Sequence, residues 1–405
     1  MTSSPMDISN TRSKFPALQQ DQVFFDNAGG SQILGTVIES IANYLSSTNV
    51  QLGASYKVGK ASTARYAAGV VAGAKYINAQ ESEIVYGSST TQLFRNLAHS
   101  LQFNQGDEII VSLVDHEANI APWVDLAERQ KLVLKWWAPS KTSTNPKLEP
   151  ADLEALMTPQ TRLVTCTHCS NILGSITNVK AIATSVHKIP GALLCVDAVA
   201  YAPHRRIDVK DLGVDFYAFS WYKVYGPHIS MLYASRAAQR HMRSLNHFFK
   251  SGDSLEDKIG LAGASYELMQ AITAVVDYLS PVDEGVWDAV KVQERSLQET
   301  LLQYLNSRPD ITVYGETSAD GVVRVPTVAF RVKGWNSKEL VEMVEKDTNF
   351  GFRWGAFYSN RLVHELLGLD EDGVVRISMV HYNTVDEVKG IIAAIDKVLS
   401  QKSST

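Results

Sequence analysis

The run Ala192-Leu193-Leu194-Cys195-Val196 is apolar at every position and stops on a charged residue, Asp197. A strand with one wet face alternates apolar and polar residues. A strand that is apolar throughout must be buried on both faces. Comparable short runs recur along the first 270 residues: Ile84-Val85-Tyr86 ending at Gly87, Glu108 to Ser112, Arg162 to Thr165 and Asp215 to Ser220, with Lys131 to Trp137 alternating less cleanly. Helical stretches separate them; after the first run, Leu93, Leu97 and Leu101 recur at a spacing of four. Short buried strands alternating with helices build βαβ units and a mainly parallel sheet, so the pattern predicts an α/β fold.

The pattern changes after about residue 280. Pro281 and Gly285 interrupt a helical pattern, and a long helix follows from Val286 to Ser307. Tyr314 to Val332 reads as two strands around a turn at Gly321. Lys338 to Lys346 is helical, Gly373 to Met379 is a strand, and Thr384 to Ser400 is a closing amphipathic helix with Val388, Ile391, Ile392 and Ile395 on its apolar face. The expected organisation is an N-terminal arm over 1–20 packing on the smaller domain, a large domain over 21–280 and a small α+β domain over 281–405. Ser140 to Pro150 reads as a polar loop and Phe249 to Lys258 as a mobile stretch.

Composition narrows the function classes. Lys and Arg total 38 against 43 Asp and Glu, a net charge of −5, without the basic excess of a nucleic-acid binder. The start, Met1 to Lys14, lacks the apolar segment of a secretory signal. No apolar run approaches the ~20 residues that span a bilayer. The expectation is a cytoplasmic protein without nucleic-acid or membrane partners. The 3 cysteines, Cys166, Cys169 and Cys195, are too few for a four-cysteine zinc site. Cys166 and Cys169 bracket Thr167-His168 like a redox or metal pair, but free cysteines at strand positions more often pack as small apolar residues, and no metal site is expected.

Candidate chemistry collects just past the predicted strand ends, where open α/β sheets bind ligands. Asp197 follows one strand. Ser220-Trp221-Tyr222-Lys223 follows the next. A lysine there, preceded by an apolar run, is desolvated; its pKa falls and it becomes nucleophilic. An aspartate on the neighbouring strand end can pair with a cationic ring nitrogen. The two together suit pyridoxal phosphate, although on spacing alone they read as an ordinary surface ion pair. Gly87-Ser88-Ser89-Thr90-Thr91 lies between a strand and a helix, as an anion site or equally as simple N-capping. His116, in Asp115-His116-Glu117-Ala118-Asn119, could stack on a planar group or move protons; taken alone it reads as a loop histidine.

In combination and order these segments resemble the fold-type I, pyridoxal-phosphate-dependent enzymes of the class V aminotransferase and cysteine desulfurase family. The resemblance runs from Phe24-Phe25-Asp26-Asn27-Ala28-Gly29-Gly30 to His381-Tyr382-Asn383-Thr384. It implies that Lys223 holds the cofactor as a Schiff base, Asp197 pairs with the pyridine nitrogen, and His116 stacks on the ring and shares in catalysis. It further implies that Asn171 reaches the ring hydroxyl or the substrate, that Ser88, Ser89, Thr90 and Ser220 hold the phosphate with Tyr222 in reach of it, and that Arg376 binds the substrate α-carboxylate. Ser265 corresponds loosely to a residue supplied by the partner chain, so a homodimer with active sites at its interface is implied. Asn27, Ala28, Arg353 and Tyr358 complete the expected substrate contacts, Arg353 for a second anionic group.

Three departures stand out. The glutamine expected three residues after the aspartate is Ala200. The histidine before the lysine is Tyr222. The loop Phe352-Arg353-Trp354-Gly355-Ala356-Phe357-Tyr358-Ser359, where a desulfurase carries its persulfide cysteine, has none. The expectation is therefore a lyase that cleaves C–S bonds of L-cysteine or S-substituted cysteines (sulfoxides included) by β-elimination, giving pyruvate, ammonia and a sulfur product. A fungal subgroup matching Thr161 to Cys166, Phe219 to Lys223 and Gly226-Pro227-His228 includes a decarboxylative aldolase, so carbanion C–C bond formation is the rival. Transamination and a non-catalytic scaffold complete the alternatives.

Overall fold

The computed structural model describes residues 6–139, 143–280 and 284–402. Among the described residues thirteen strands occur in chain order: β1 Val23–Phe24, β2 Ile84–Gly87, β3 Glu108–Ser112, β4 Val133–Trp137, β5 Thr161–Thr167, β6 Leu193–Asp197, β7 Phe216–Ser220, β8 Ser230–Ala234, β9 Ile311–Tyr314, β10 Thr327–Val332, β11 Phe350–Gly351, β12 Arg353–Gly355 and β13 Val374–Ser378. Seven form one sheet in the order β2-β8-β7-β6-β5-β3-β4. Only β8 runs antiparallel to its neighbours β2 and β7. The remaining pairings are parallel, as expected of an α/β sheet.

Burial on both faces explains the apolar runs. In β6, Leu194 and Val196 enter one hydrophobic cluster while Leu193 and Cys195 enter another on the opposite side. The strand Ser230–Ala234 passes unnoticed in the sequence reading because it follows the lysine turn without an intervening helix. So do the helices Gly35–Ser47 and Lys57–Tyr76. The second is rich in Ala and Gly and carries a weak apolar stripe. Its packing needs that composition: a Cβ on Gly69 would lie 2.3 Å from the Met269 carbonyl, and one on Gly73 would lie 2.0 Å from the Tyr86 hydroxyl.

A second, antiparallel sheet has the order β12-β13-β10-β9. The helices Glu284–Ser307, Ser337–Lys346 and Val385–Lys402 accompany it, and Leu297, Leu301, Leu340, Val388 and Ile391 share its core with Val328 and Ile377. The chain's start is divided between the two sheets. Arg12 pairs with Glu387 at 2.8 Å, while Phe15 is buried against Tyr225, Tyr278 and Tyr382. Val23–Phe24 pairs with Phe350–Gly351, and Asp26 bridges to Ser378.

Two loop readings change. Residues 249–258, expected to be mobile, include the start of a helix, Leu255–Ile259, whose Leu255 is fully buried and whose Ser254 caps Asp257. Of the expected loop from Ser140 to Pro150, residues 140–142 lie outside the described residues, as does Pro281, and the helix begins at Pro150 itself. No described helix is long and apolar enough to cross a membrane.

Candidate active site

Five parallel strands deliver their C-terminal ends to one cleft. Ser89 and Thr90 follow β2, His116 follows β3, Thr167 ends β5, Asp197 ends β6, and Ser220 and Lys223 end or follow β7; all of them line it with Asn171 and Tyr222. Val199 and Ala200 add apolar walls.

Lys223 sits on the single turn Trp221–Lys223 after a wholly buried strand and is 8% exposed. It makes no hydrogen bond or ion pair with any described residue. Burial and the nearby Arg376 charge bring its pKa down to about 8, against the opposing pull of Asp197 and Asp26. Asp197 is buried, and its Oδ1 accepts from the Val199 N–H at 2.9 Å. Burial raises its pKa to about 6, held from rising further by that hydrogen bond and by Lys223. The carboxylate is thus ionised at neutral pH and suited to a cationic partner.

His116 is neutral. Burial, then Lys223 and Arg376, depress its pKa to about 4. Its Nδ1 accepts from the Ala118 N–H at 3.0 Å, which places the proton of the neutral ring on Nε2. The loop around it is anchored by Asp115, a fully buried carboxylate singled out by nothing in the sequence reading. Asp115 accepts from Asn119 Nδ2 at 2.6 Å and from the Thr167 N–H at 3.1 Å, tying the β3 and β5 ends together.

At the other end of the cleft, Ser89 caps the helix Thr90–Ser100 through the Gln92 N–H. The hydroxyls of Thr90, Ser220 and Ser230 form a buried triangle, with 2.8 Å between Thr90 and Ser220 and 2.7 Å between Ser220 and Ser230. Ser230 escapes the sequence reading along with its strand. Ser88 is corrected: it is exposed, does not line the cleft, and gives both its N–H and its hydroxyl to Gln92 Oε1.

The expected substrate contacts divide. Arg376 is buried; its Nη2 donates to Asp26 at 2.7 Å, its Nη1 to the Asn171 carbonyl at 3.1 Å, and the Phe357 ring lies 3.7 Å from its guanidinium carbon. Arg353 is half exposed and approaches the same Asp26 at 3.6 Å. Tyr358 is mostly exposed beside His116, with ring centroids 5.4 Å apart. Asn171 lines the cleft, but its amide holds the loop instead of facing a ligand: Nδ2 donates to the Phe357 carbonyl at 3.0 Å, and Oδ1 accepts from Ser359 at 2.9 Å. Asn27 is corrected to a buried structural role, donating to the carbonyls of Phe24 and Ser378 and accepting from Tyr382. The Ala28 N–H donates to the Ser378 hydroxyl at 2.9 Å. Ser265 is exposed and outside this chain's cleft.

All three cysteines are reduced and buried, and burial raises each thiol pKa. Among the described residues no cluster of three or more His, Cys, Asp or Glu is arranged to hold a metal.

The Aminotransferase class-V family profile matches residues 23–391. The chain belongs to that family. It is 59% identical over 403 residues to the aminotransferase-like protein FGM3 of Gibberella zeae, covering 98% of this chain and 100% of the relative. It is 41% identical to the cysteine desulfurase-like protein ustD of Aspergillus flavus, covering 98% and 91% of the two chains. The fold is shared with the cysteine desulfurase CsdA of Escherichia coli at a TM-score of 0.85 and 26% identity, over 98% of this chain and 100% of that one. The architecture is thus fold-type I, and the cofactor of class V enzymes is pyridoxal 5′-phosphate.

The residues present fit that group. The hydroxyl triangle and the helix N-terminus suit a phosphate, Asp197 a pyridinium and Lys223, without a hydrogen bond or ion pair among the described residues, a carbonyl carbon. Ala200 leaves the glutamine's hydrogen bond unreplaced at its own position.

Proposed function

We propose that this class V enzyme cleaves a bond at Cβ of an α-amino acid without a protein thiol, acting on L-cysteine or S-substituted cysteines as a C–S lyase. Bound in the cleft, pyridoxal phosphate supplies an electron sink for negative charge at Cα. Lys223, its pKa lowered to about 8, takes the Cα proton and can pass it to the departing sulfur. Arg376 holds the α-carboxylate and so orients the Cα–H bond. His116 offers an Nε2 proton on a ring that stays neutral at working pH. The Phe357–Ser359 loop, held by Asn171, covers Arg376 and restricts water. A sulfur group on Cβ then leaves as thiol or sulfenate, and one water hydrolyses the remaining unsaturated amino acid to pyruvate and ammonia.

One observation carries the reading: the loop that closes on Arg376 offers Phe357 and Tyr358 and no thiol, while the three cysteines, Cys169 in the cleft wall among them, are buried with raised pKa values. A thiol that burial keeps protonated is a poor nucleophile.

A second reading rests on Arg353. Two guanidiniums face Asp26, and a substrate with a side-chain carboxylate would suit such a pair. Loss of that carboxylate followed by attack on an aldehyde would make a C–C bond. The deciding experiment offers the cofactor-loaded protein L-cysteine, S-alkyl cysteines, their sulfoxides, and L-aspartate with an aldehyde. Pyruvate from the cysteine derivatives supports the lyase. Carbon dioxide and a hydroxy amino acid from the last mixture, without pyruvate from the others, would replace it with the aldolase.

A further inference from the structure

Asp26 lies between two arginines in unequal settings. Its Oδ1 accepts from Arg376 Nη2 at 2.7 Å, and its Oδ2 is 3.6 Å from Arg353 Nη1. The Arg376 side chain is 3% exposed and that of Arg353 is 55% exposed. Asp26 is tethered by its own short strand connection: the Phe25 carbonyl accepts from the Ser378 N–H, and the Gly29 N–H returns to the Asp26 carbonyl. A Cβ on Gly29 would lie 2.8 Å from Asp26 Oδ2, so glycine here leaves the carboxylate its room.

The nitrogens of Arg376 are unevenly used. Nη1 serves the Asn171 carbonyl and Nη2 serves Asp26, while Nε is buried without a partner. A carboxylate that meets an arginine side-on takes Nε and Nη2 together. Asp26 takes only the second of these. The edge best suited to a bidentate carboxylate is half filled by a residue of the chain itself, and a second arginine already stands on the other side of that residue.

We infer that Asp26 is a specificity-determining stand-in for the substrate carboxylate: it occupies Arg376 in the free protein and passes to Arg353 when an α-carboxylate takes the Nε–Nη2 edge. The exchange rests on the reading of Arg376 as the α-carboxylate site. It keeps the buried guanidinium paired in both states, so neither state leaves an isolated buried charge. It also gives Arg353 a task directed at Asp26 instead of at substrate.

The test is a double-mutant cycle on the cofactor-loaded protein, titrated with L-alanine and followed by the cofactor's visible spectrum. L-Alanine has the α-carboxylate and no departing group at Cβ. Asp26→Asn removes the competitor and tightens L-alanine binding by about tenfold, the scale of one charge-assisted hydrogen bond. Arg353→Ala removes the acceptor for the displaced carboxylate and weakens binding by about twofold to fivefold, the scale of an exposed ion pair. In the Asp26→Asn background Arg353→Ala has no further effect. A merely structural Asp26 would give weaker binding in Asp26→Asn, and that result overturns the exchange. So does an Arg353→Ala effect that persists without Asp26, or one confined to L-aspartate, which would put Arg353 on the substrate. Should Asp26→Asn fail to fold, unchanged L-alanine affinity in the exposed-site variant Arg353→Ala alone is sufficient to overturn it. Arg376→Ala separates the two levels: if it binds L-alanine as wild type does, the underlying carboxylate assignment fails, whatever Asp26 does.

Discussion

Asn171 Nδ2 donates to the Phe357 carbonyl at 3.0 Å across a sequence separation of 186 residues. The contact joins the β5 side of the cleft to a loop whose backbone is unusual: Phe357 and Tyr358 both have positive φ, 48° and 59°. Two successive non-glycine residues in the left-handed region are costly and persist only when their surroundings hold them there. Asn171 does so through its two hydrogen bonds, and the Glu117 N–H adds a third to the Tyr358 carbonyl at 2.8 Å.

Replacing Asn171 with Ala should therefore release the loop. Losing both side-chain hydrogen bonds costs about 1–3 kcal/mol locally. Amide hydrogen exchange of residues 356–359 should accelerate by roughly tenfold or more, with global stability little changed. Unchanged exchange in that segment would show that the loop is held by packing alone.

Lys223 sets a pH dependence on cofactor loading. A lysine is nucleophilic only when neutral, and burial with Arg376 lowers its pKa to about 8. Attachment of pyridoxal phosphate to the cofactor-free protein should accelerate as pH rises through about 8, well below the range of an ordinary lysine. Lys223→Ala should give a colourless protein whose spectrum does not respond to borohydride. A yellow Lys223→Ala protein with a borohydride-sensitive band would remove the lysine from its role.

The hydroxyl triangle and Ser88 give a contrast within one loop. Ser220→Ala removes a buried hydroxyl that touches both Thr90 and Ser230, and should weaken cofactor affinity by about tenfold. Ser88→Ala removes an exposed hydroxyl bonded to Gln92 and should leave affinity unchanged. Equal effects in the two variants, measured by cofactor fluorescence, would refute this placement of the phosphate.

His381 links folding to pH. It is buried between the Tyr225 and Tyr278 hydroxyls at 2.9 and 2.6 Å, and burial depresses its pKa to about 4. The unfolded chain then binds a proton that the folded protein refuses between pH 6.5 and about 4. The contribution is present in full above pH 6.5 and is lost as pH falls toward 4, on the order of 3 kcal/mol. Denaturant titrations of His381→Gln should show a pH slope about one proton shallower across that window. An identical slope would mean that His381 titrates normally.

The thiols should be dispensable. Cys166, Cys169 and Cys195 are wholly buried, so the variant C166A/C169A/C195A should retain activity within about threefold, with a stability loss of about 1 kcal/mol per site. Loss of turnover with the cofactor still bound would return a cysteine to the mechanism.

Much of this was legible in the chain because the signals are local. An apolar run such as Leu193 to Val196 reports burial on both faces, and a strand that stops at Asp197 or Ser220 marks the edge where ligands bind. Lys223, Asp197, His116 and Thr90 were found in this way, and all line one cleft. The residues that escaped act through long-range contact. Ser230 belongs to the one antiparallel strand of its sheet, and Asp115 matters because Thr167 donates to it across a strand gap. Asn27 and Ser88 carried the right motif, but folding gave their polar atoms to Ser378 and Gln92 instead.

By itself the sequence determined the α/β architecture and the lack of a thiol in the loop from Phe352 to Ser359, since both are written in residue type and spacing, and it implied the cofactor through its resemblance to the family. Only the tertiary structure decided which polar atoms remain free to act. Arg376 meets Asp26 over 350 positions and Asn171 meets Ser359 over 188, and such hydrogen bonds exist only once two distant segments have packed side by side.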